Sequence, residues 1–135
     1  MPDYGDIVDG TIFDQLLEMD DDDNREFSKG IARDFITQAE TTLTELQESL
    51  EKKDLESLGR LGHFLKGSSA ALGLKKLRAT CENIQNYGRK VDEGGKPLSL
   101  SNEDLLKKLD ELVKGSKVEY AEAKHWLVSM YKLEE

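Results

Sequence analysis

No disulfide can form within this chain, because Cys81 is its single cysteine; a lone thiol fits a reducing compartment. Proline occurs only twice and valine is scarce, while leucine, glutamate and lysine dominate. That balance disfavours a sheet protein and favours an all-α domain. Positive charge is in deficit: 19 Lys and Arg stand against 28 Asp and Glu, a formal charge of −9. A phosphate backbone needs a basic face, so nucleic acid is excluded as a partner and a basic protein surface suits the chain better. No apolar run approaches the roughly 18 residues of a membrane span. The opening MPDYGDIVDG is acidic and has none of the basic and apolar blocks of a signal peptide. The expected location is the cytoplasm, with the nucleus open by diffusion.

What is present has helical period. The chain suits one domain, 1–135, with residues 1–10 loose. Thr11 can cap a short helix carrying Ile12, Phe13, Leu16, Leu17 and Met19, which ends in the acidic run Asp20 to Asp23. A long helix from about Asn24 to Lys52 follows, with the stripe Ile31, Phe35, Ala39, Leu43, Leu46 and Leu50. Asp54 caps a third helix, and Gly73 stops it. The fourth runs from about Leu74 to Glu93, with Leu77, Cys81, Ile84, Gly88 and Val91 inward. Residues 94–101 form a loop, and Ser101 with Asp104 resembles a capping box. The last helix then buries Leu105, Leu109, Leu112, Ser116, Tyr120, Ala123, Leu127 and Tyr131. Four amphipathic helices with short connections predict an antiparallel four-helix bundle with an additional short N-terminal helix.

The third helix contains HFLKGSSAALG, His63 to Gly73, and gives up intrinsic stability there. Glycine costs roughly 1 kcal/mol relative to alanine in a helix interior, yet Gly59, Gly62 and Gly67 crowd around His63. At 100° per residue, Leu55, Leu58, Leu61, Leu65, Ser69 and Leu72 share an arc of roughly 120°, the core face. His63 lies roughly 150° from its centre, on the solvent side. Gly59 and Gly67 flank it at i−4 and i+4 and leave room for another body, while Lys66 stands beside it at i+3. Gly62 points more to the inside and lets a neighbouring helix pack close. Residue types and spacing alone leave two readings open: an accessible imidazole, or an ordinary solvated histidine.

At these residues the sequence resembles the histidine-containing phosphotransfer domain. That family's pattern is His, any residue, a hydrophobic residue, Lys, Gly and a small residue, met here as His63, Phe64, Leu65, Lys66, Gly67 and Ser68. The longer LGHFLKGSSAALGL, with CENIQNYGRK and EMDDDDNREFSKG, is similar to the fungal osmosensing phosphorelay intermediates within it. The likeness is close over about residues 10–93; the last helix matches in kind only. It implies a shuttle, in which His63 accepts phosphate from the aspartyl phosphate of one response-regulator receiver and hands it to the Asp of another. The receiver of a hybrid histidine kinase is among the implied donors. An imidazole nitrogen, neutral and nucleophilic over much of the physiological range, suits that role.

The resemblance also implies supporting groups. Lys66 would offset phosphoryl charge, Gln85 would donate hydrogen bonds to the histidine, and Arg89 would add positive charge. Gly67 would allow close approach, and Ser68 would bond near the imidazole or to its own backbone. Ile12, Leu16, Met19, Phe27, Ile31 and Phe64 would form an apolar docking patch, with Phe13 and Leu17 turned to the bundle. No cofactor is expected on this chain: the magnesium would belong to the receiver's acidic pocket. The expected state is a monomer, a carrier and not an autonomous kinase.

Other chemistries fail on spacing. GHFLKGSS echoes a phosphate-binding loop but lacks Lys after its second Gly and follows no strand. Counted from Asp20 as a calcium loop, the sixth position is Arg25 and the twelfth Ile31, where Gly and Glu are needed. The aspartates read instead as a helix-start cluster or a contact for basic groups. His63, His125 and Cys81 have no zinc-ligand spacing. The remaining alternative is a bundle that binds receivers without carrying phosphate.

Overall fold

The structure is a computed structural model and describes residues 4–21 and 23–133. Among the described residues there are five helices: α1 (Gly10–Leu17), α2 (Glu26–Glu51), α3 (Leu55–Ala71), α4 (Lys75–Gly88) and α5 (Asn102–Tyr131). Helices α2, α3, α4 and α5 pack in a closed ring, α2 on α3, α3 on α4, α4 on α5 and α5 back on α2. This is the expected antiparallel four-helix bundle with a short helix in front. Its centre is made by Phe35 and Leu46 from α2, Leu58 and Leu65 from α3, Leu77 and Ile84 from α4, and Leu109, Val113 and Leu127 from α5. The buried hydroxyls of Thr42, Ser69 and Ser116 donate to carbonyls of their own helices, at 2.7–2.8 Å, so none is stranded.

Several expectations change in detail. Asp9, not Thr11, caps α1; its Oδ1 accepts from the Thr11 N–H at 3.1 Å. Residues 4–9 are packed rather than loose. Val8 is buried, the Asp9 N–H donates to Gly73 O at 2.6 Å, and Tyr4 lies against Phe13 and Trp126. The same expectation for residues 1–3 lies outside the described residues. Helix α2 starts at Glu26, after Arg25 in the left-handed region (φ 54), which makes no side-chain cap. Asp20 serves instead from eight residues upstream, accepting from the Ser28 N–H at 2.8 Å and the Ser28 hydroxyl at 2.6 Å. Along α5 the fully buried position is Val113, with Leu112 only half-buried.

Helix ends follow an unexpected rule. Gly73 (φ +71) stops α3 as expected, but Lys53, Lys90 and Lys132 take left-handed conformations at the ends of α2, α4 and α5. A non-glycine residue there costs roughly 1–2 kcal/mol. A cation beside the negative end of a helix offsets part of it, typically 0.3–1 kcal/mol. Helix α4 consequently ends at Gly88, and Val91 is not inward on it; Val91 pairs with Pro97 across the turn that Asp92 closes. Residues 94–101 continue as non-helical chain to Ser101, whose hydroxyl accepts from the Asp104 N–H at 3.1 Å.

Candidate functional site

His63 sits midway along α3, on the side turned to α4. The ring is exposed, yet one of its nitrogens is anchored. Nδ1 lies 2.8 Å from Gln85 Oε1 of α4, and Gln85 is itself only 8 % exposed. An amide oxygen only accepts, so Nδ1 carries the proton and the lone pair resides on Nε2, on the opposite edge of the ring. This reverses the expected polarity: Gln85 accepts from the histidine and does not donate to it.

Two glycine contacts set that distance. A methyl group on Gly62 would fall 2.8 Å from the Gln85 backbone N and 2.9 Å from Ile84 Cγ2. One on Gly88 would fall 2.6 Å from Gly59 Cα. Helices α3 and α4 therefore touch backbone to backbone at two levels, one under His63 and one a turn earlier. Gly59 is thus buried under Gly88 and does not clear space beside the imidazole, which corrects the expectation for it. Gly67 differs: nothing lies within 4 Å of where its methyl group would be.

Beside His63 a cleft of about 540 Å³ opens between α3 and the end of α4. Arg60, Arg89, Lys90 and Glu56 line it with His63. Arg89 is the C-terminal cap of α4 and is exposed. The sequence reading missed Arg60 and Lys90; the signal for Arg60 was its i−3 spacing from His63. Lys66 turns toward α4, its Nζ 3.8 Å from Glu82 Oε1. The Ser68 hydroxyl donates to Phe64 O at 3.2 Å, its own backbone rather than the imidazole.

Of the residues expected to dock a partner, Met19, Phe27 and Phe64 are exposed, at 62 %, 49 % and 48 %. Ile12 and Ile31 are half-covered. Leu16 is buried and Leu17 half-buried, the reverse of the expected assignment, because α1 rolls Phe13 and Leu16 together onto the bundle. Cys81 is buried, and burial with the nearby Glu119 pushes its thiol up to about 12, which leaves it unreactive. Among the described residues no group of three or more His, Cys, Asp or Glu is placed to hold a metal ion. No helix among them is long and apolar enough to cross a membrane.

An anchored histidine on one helix, facing a glutamine on the next, is the arrangement the sequence motif implied. Residues 30–115 match the Hpt domain. The chain belongs to the Hpt domain family. Among its relatives, Multistep phosphorelay regulator 1 of Schizosaccharomyces pombe is 49 % identical over 128 residues, 93 % of this chain and 42 % of that protein. Phosphorelay intermediate protein YPD1 of Saccharomyces cerevisiae is 52 % identical over 87 residues, 64 % of this chain and 52 % of that one. This Hpt chain thus spans about half the length of the curated relatives it matches. A co-crystal structure of S. cerevisiae Ypd1 with the receiver domain of its downstream response regulator Ssk1 superposes with a TM-score of 0.81 at 36 % identity. That match covers 93 % of this chain and 95 % of the other.

Proposed function

We propose that this Hpt chain is a phosphorelay intermediate: His63 accepts a phosphoryl group from a receiver-domain aspartyl phosphate and passes it to the Asp of a second response-regulator receiver. The observation that carries the reading is the Gln85 bond at Nδ1, which leaves the Nε2 lone pair free at the surface. Membership of the Hpt family supports it, as does the solved complex of Ypd1 with a receiver.

In the forward step the bond between the donor's carboxyl oxygen and phosphorus breaks as the Nε2–phosphorus bond forms, and the donor leaves as a carboxylate. The proton remains on Nδ1, so the phosphorylated ring carries positive charge, and Gln85 Oε1 stabilises that charge as an acceptor. A cationic ring is a good leaving group, so the return step to a second carboxylate needs no further proton transfer. Arg89 supplies charge to the phosphoryl oxygens from the α4 side, and Lys66 is available once its loose contact with Glu82 gives way. The open space at Gly67 admits the partner's backbone. Met19, Phe27 and Phe64 provide apolar docking area, with Ile12 and Ile31 at its edge.

Magnesium belongs, on this reading, to the receiver's acidic pocket. The receiver of a hybrid histidine kinase is the upstream donor, the chain acts as a monomer, and it works in the cytoplasm with access to the nucleus.

The test is a receiver phosphorylated on its Asp, mixed with this chain and magnesium. Label that moves onto the chain, survives alkali, is lost in acid and is absent from His63→Gln is the expected result. Uptake by His63→Gln equal to that of the unmodified chain would sink the reading. Receiver binding without any uptake would leave a phosphate-independent docking module.

A further inference from the structure

We infer that Arg60 is a phosphoryl-binding residue, a second guanidinium that meets the group on His63 from the α3 wall while Arg89 meets it from α4. The inference rests on the carrier reading above and adds to it a residue outside the sequence motif.

The cleft beside His63 inverts the charge of the molecule around it. The whole chain carries −9, yet this cleft has Arg60, Arg89 and Lys90 against the single carboxylate of Glu56. Such an island attracts an anion. Among the described residues its cations are held by no close ion pair, although Arg60 lies within electrostatic reach of the Asp54 carboxylate. No ion pair among the described residues engages Arg60, Arg89 or Lys90, although Glu56 stands one helical turn before Arg60. All three share the lining of the cleft with the nucleophile.

Placement follows from the glycines. Arg60 and His63 are three residues apart on α3, which puts their Cβ atoms roughly 5–6 Å apart on one face. The Gly59–Gly88 contact draws the end of α4 against the turn that carries Arg60. Arg89 and Lys90 follow Gly88 directly, so the two walls close to backbone contact below the cleft and present cations above it. The Gln85 bond at Nδ1 leaves Nε2, the atom that takes the phosphoryl group, on the free edge of the ring. A guanidinium is permanently charged and its planar fork matches two phosphoryl oxygens, so two arginines on opposite walls can hold the group in line for attack.

The test is single-turnover uptake from a phosphorylated receiver domain, with unmodified chain, Arg60→Ala and Arg60→Lys compared at several receiver and salt concentrations. Arg60→Ala is expected to lower the saturating rate roughly tenfold, the scale of one charge-assisted hydrogen bond. Arg60→Lys should recover part of that loss, and the salt dependence of Arg60→Ala should be shallower. Thermal unfolding of both variants should match that of the unmodified chain, because the side chain is exposed. A saturating rate unchanged in Arg60→Ala overturns the inference while leaving the carrier reading intact. A shift confined to the receiver concentration needed for half-saturation also overturns it, and assigns Arg60 to docking alone. No label on the unmodified chain from any of a panel of receivers overturns the carrier reading and this inference together.

Discussion

Gly62 and Gly67 lie five residues apart on one helix and do opposite things. Gly62 is buried beneath α4, where any side chain would strike the Gln85 backbone; Gly67 faces open space with no neighbour within 4 Å. The first is a packing requirement of the folded chain alone. The second gives that chain nothing and weakens α3 by roughly 1 kcal/mol. A residue that costs stability and serves no internal contact points outward, to a body that comes and goes.

The sharpest way to break this comparison is the same substitution at both sites. Gly62→Ala should destabilise by about 1–3 kcal/mol in urea unfolding, because the obstacle is backbone and cannot rotate away. It should also slow phosphoryl uptake, since pushing α4 outward lengthens the His63–Gln85 bond. Equal stability of Gly62→Ala and the unmodified chain would remove the packing argument.

Gly67→Ala should stabilise by roughly 0.5–1 kcal/mol, the reverse sign, because alanine narrows the unfolded ensemble and fits a helix. Gly67→Gln should retain the fold and slow transfer between proteins; transfer at the unmodified rate would show that access is not what Gly67 provides.

The α2–α5 side sharpens the contrast, for there the helices are joined by side chains. The Tyr120 hydroxyl donates to Glu40 Oε2 at 2.7 Å, and Lys124 Nζ reaches the same oxygen at 2.9 Å. Tyr120→Phe should cost about 1 kcal/mol and leave phosphoryl uptake unchanged. The Lys124 contact, then the Tyr120 hydroxyl, hold the Glu40 carboxyl below its ordinary value. A depressed carboxylate contributes stability that is present above its unfolded pKa and is lost as pH falls through the folded one. Glu40 is half exposed, so the effect is small. Glu40→Gln should lose less than about 1 kcal/mol at neutral pH and match the unmodified chain once the pH is well below the carboxylate range. A difference that persists in acid would assign it to packing.

These contrasts also mark how far the residues speak for themselves. The leucine stripe of α3 fixed its core face correctly, and so did the periods of α2 and α5 except at Leu112, Ile31 and Leu50, which are only half-buried, because burial of large side chains is what periodicity reports. Gly59 was misplaced for the same reason. A wheel centred on leucines sees only neighbours that contact side chains, and α4 meets α3 through bare backbone. The end of α4 was invisible because Lys90 adopts a conformation that glycine normally signals. Asp20 was legible as an acid near a helix start, but its eight-residue reach to Ser28 had no local pattern. His63, Lys66 and Gly67 were legible through the motif; the direction of the Gln85 bond and the company of Arg60 needed the fold.

Side chains form the compliant layer between packed helices, since a rotamer can yield by tenths of an ångström while the backbones stay apart. At Gly59–Gly88 and beneath Gly62 that layer is missing. Helices α3 and α4 therefore meet there as stiff bodies, and a push on one is transmitted to the other without being absorbed. The backbones that carry His63 and Gln85 are thereby held at a fixed separation, and only the two side chains' own rotamers are left to vary the distance between them.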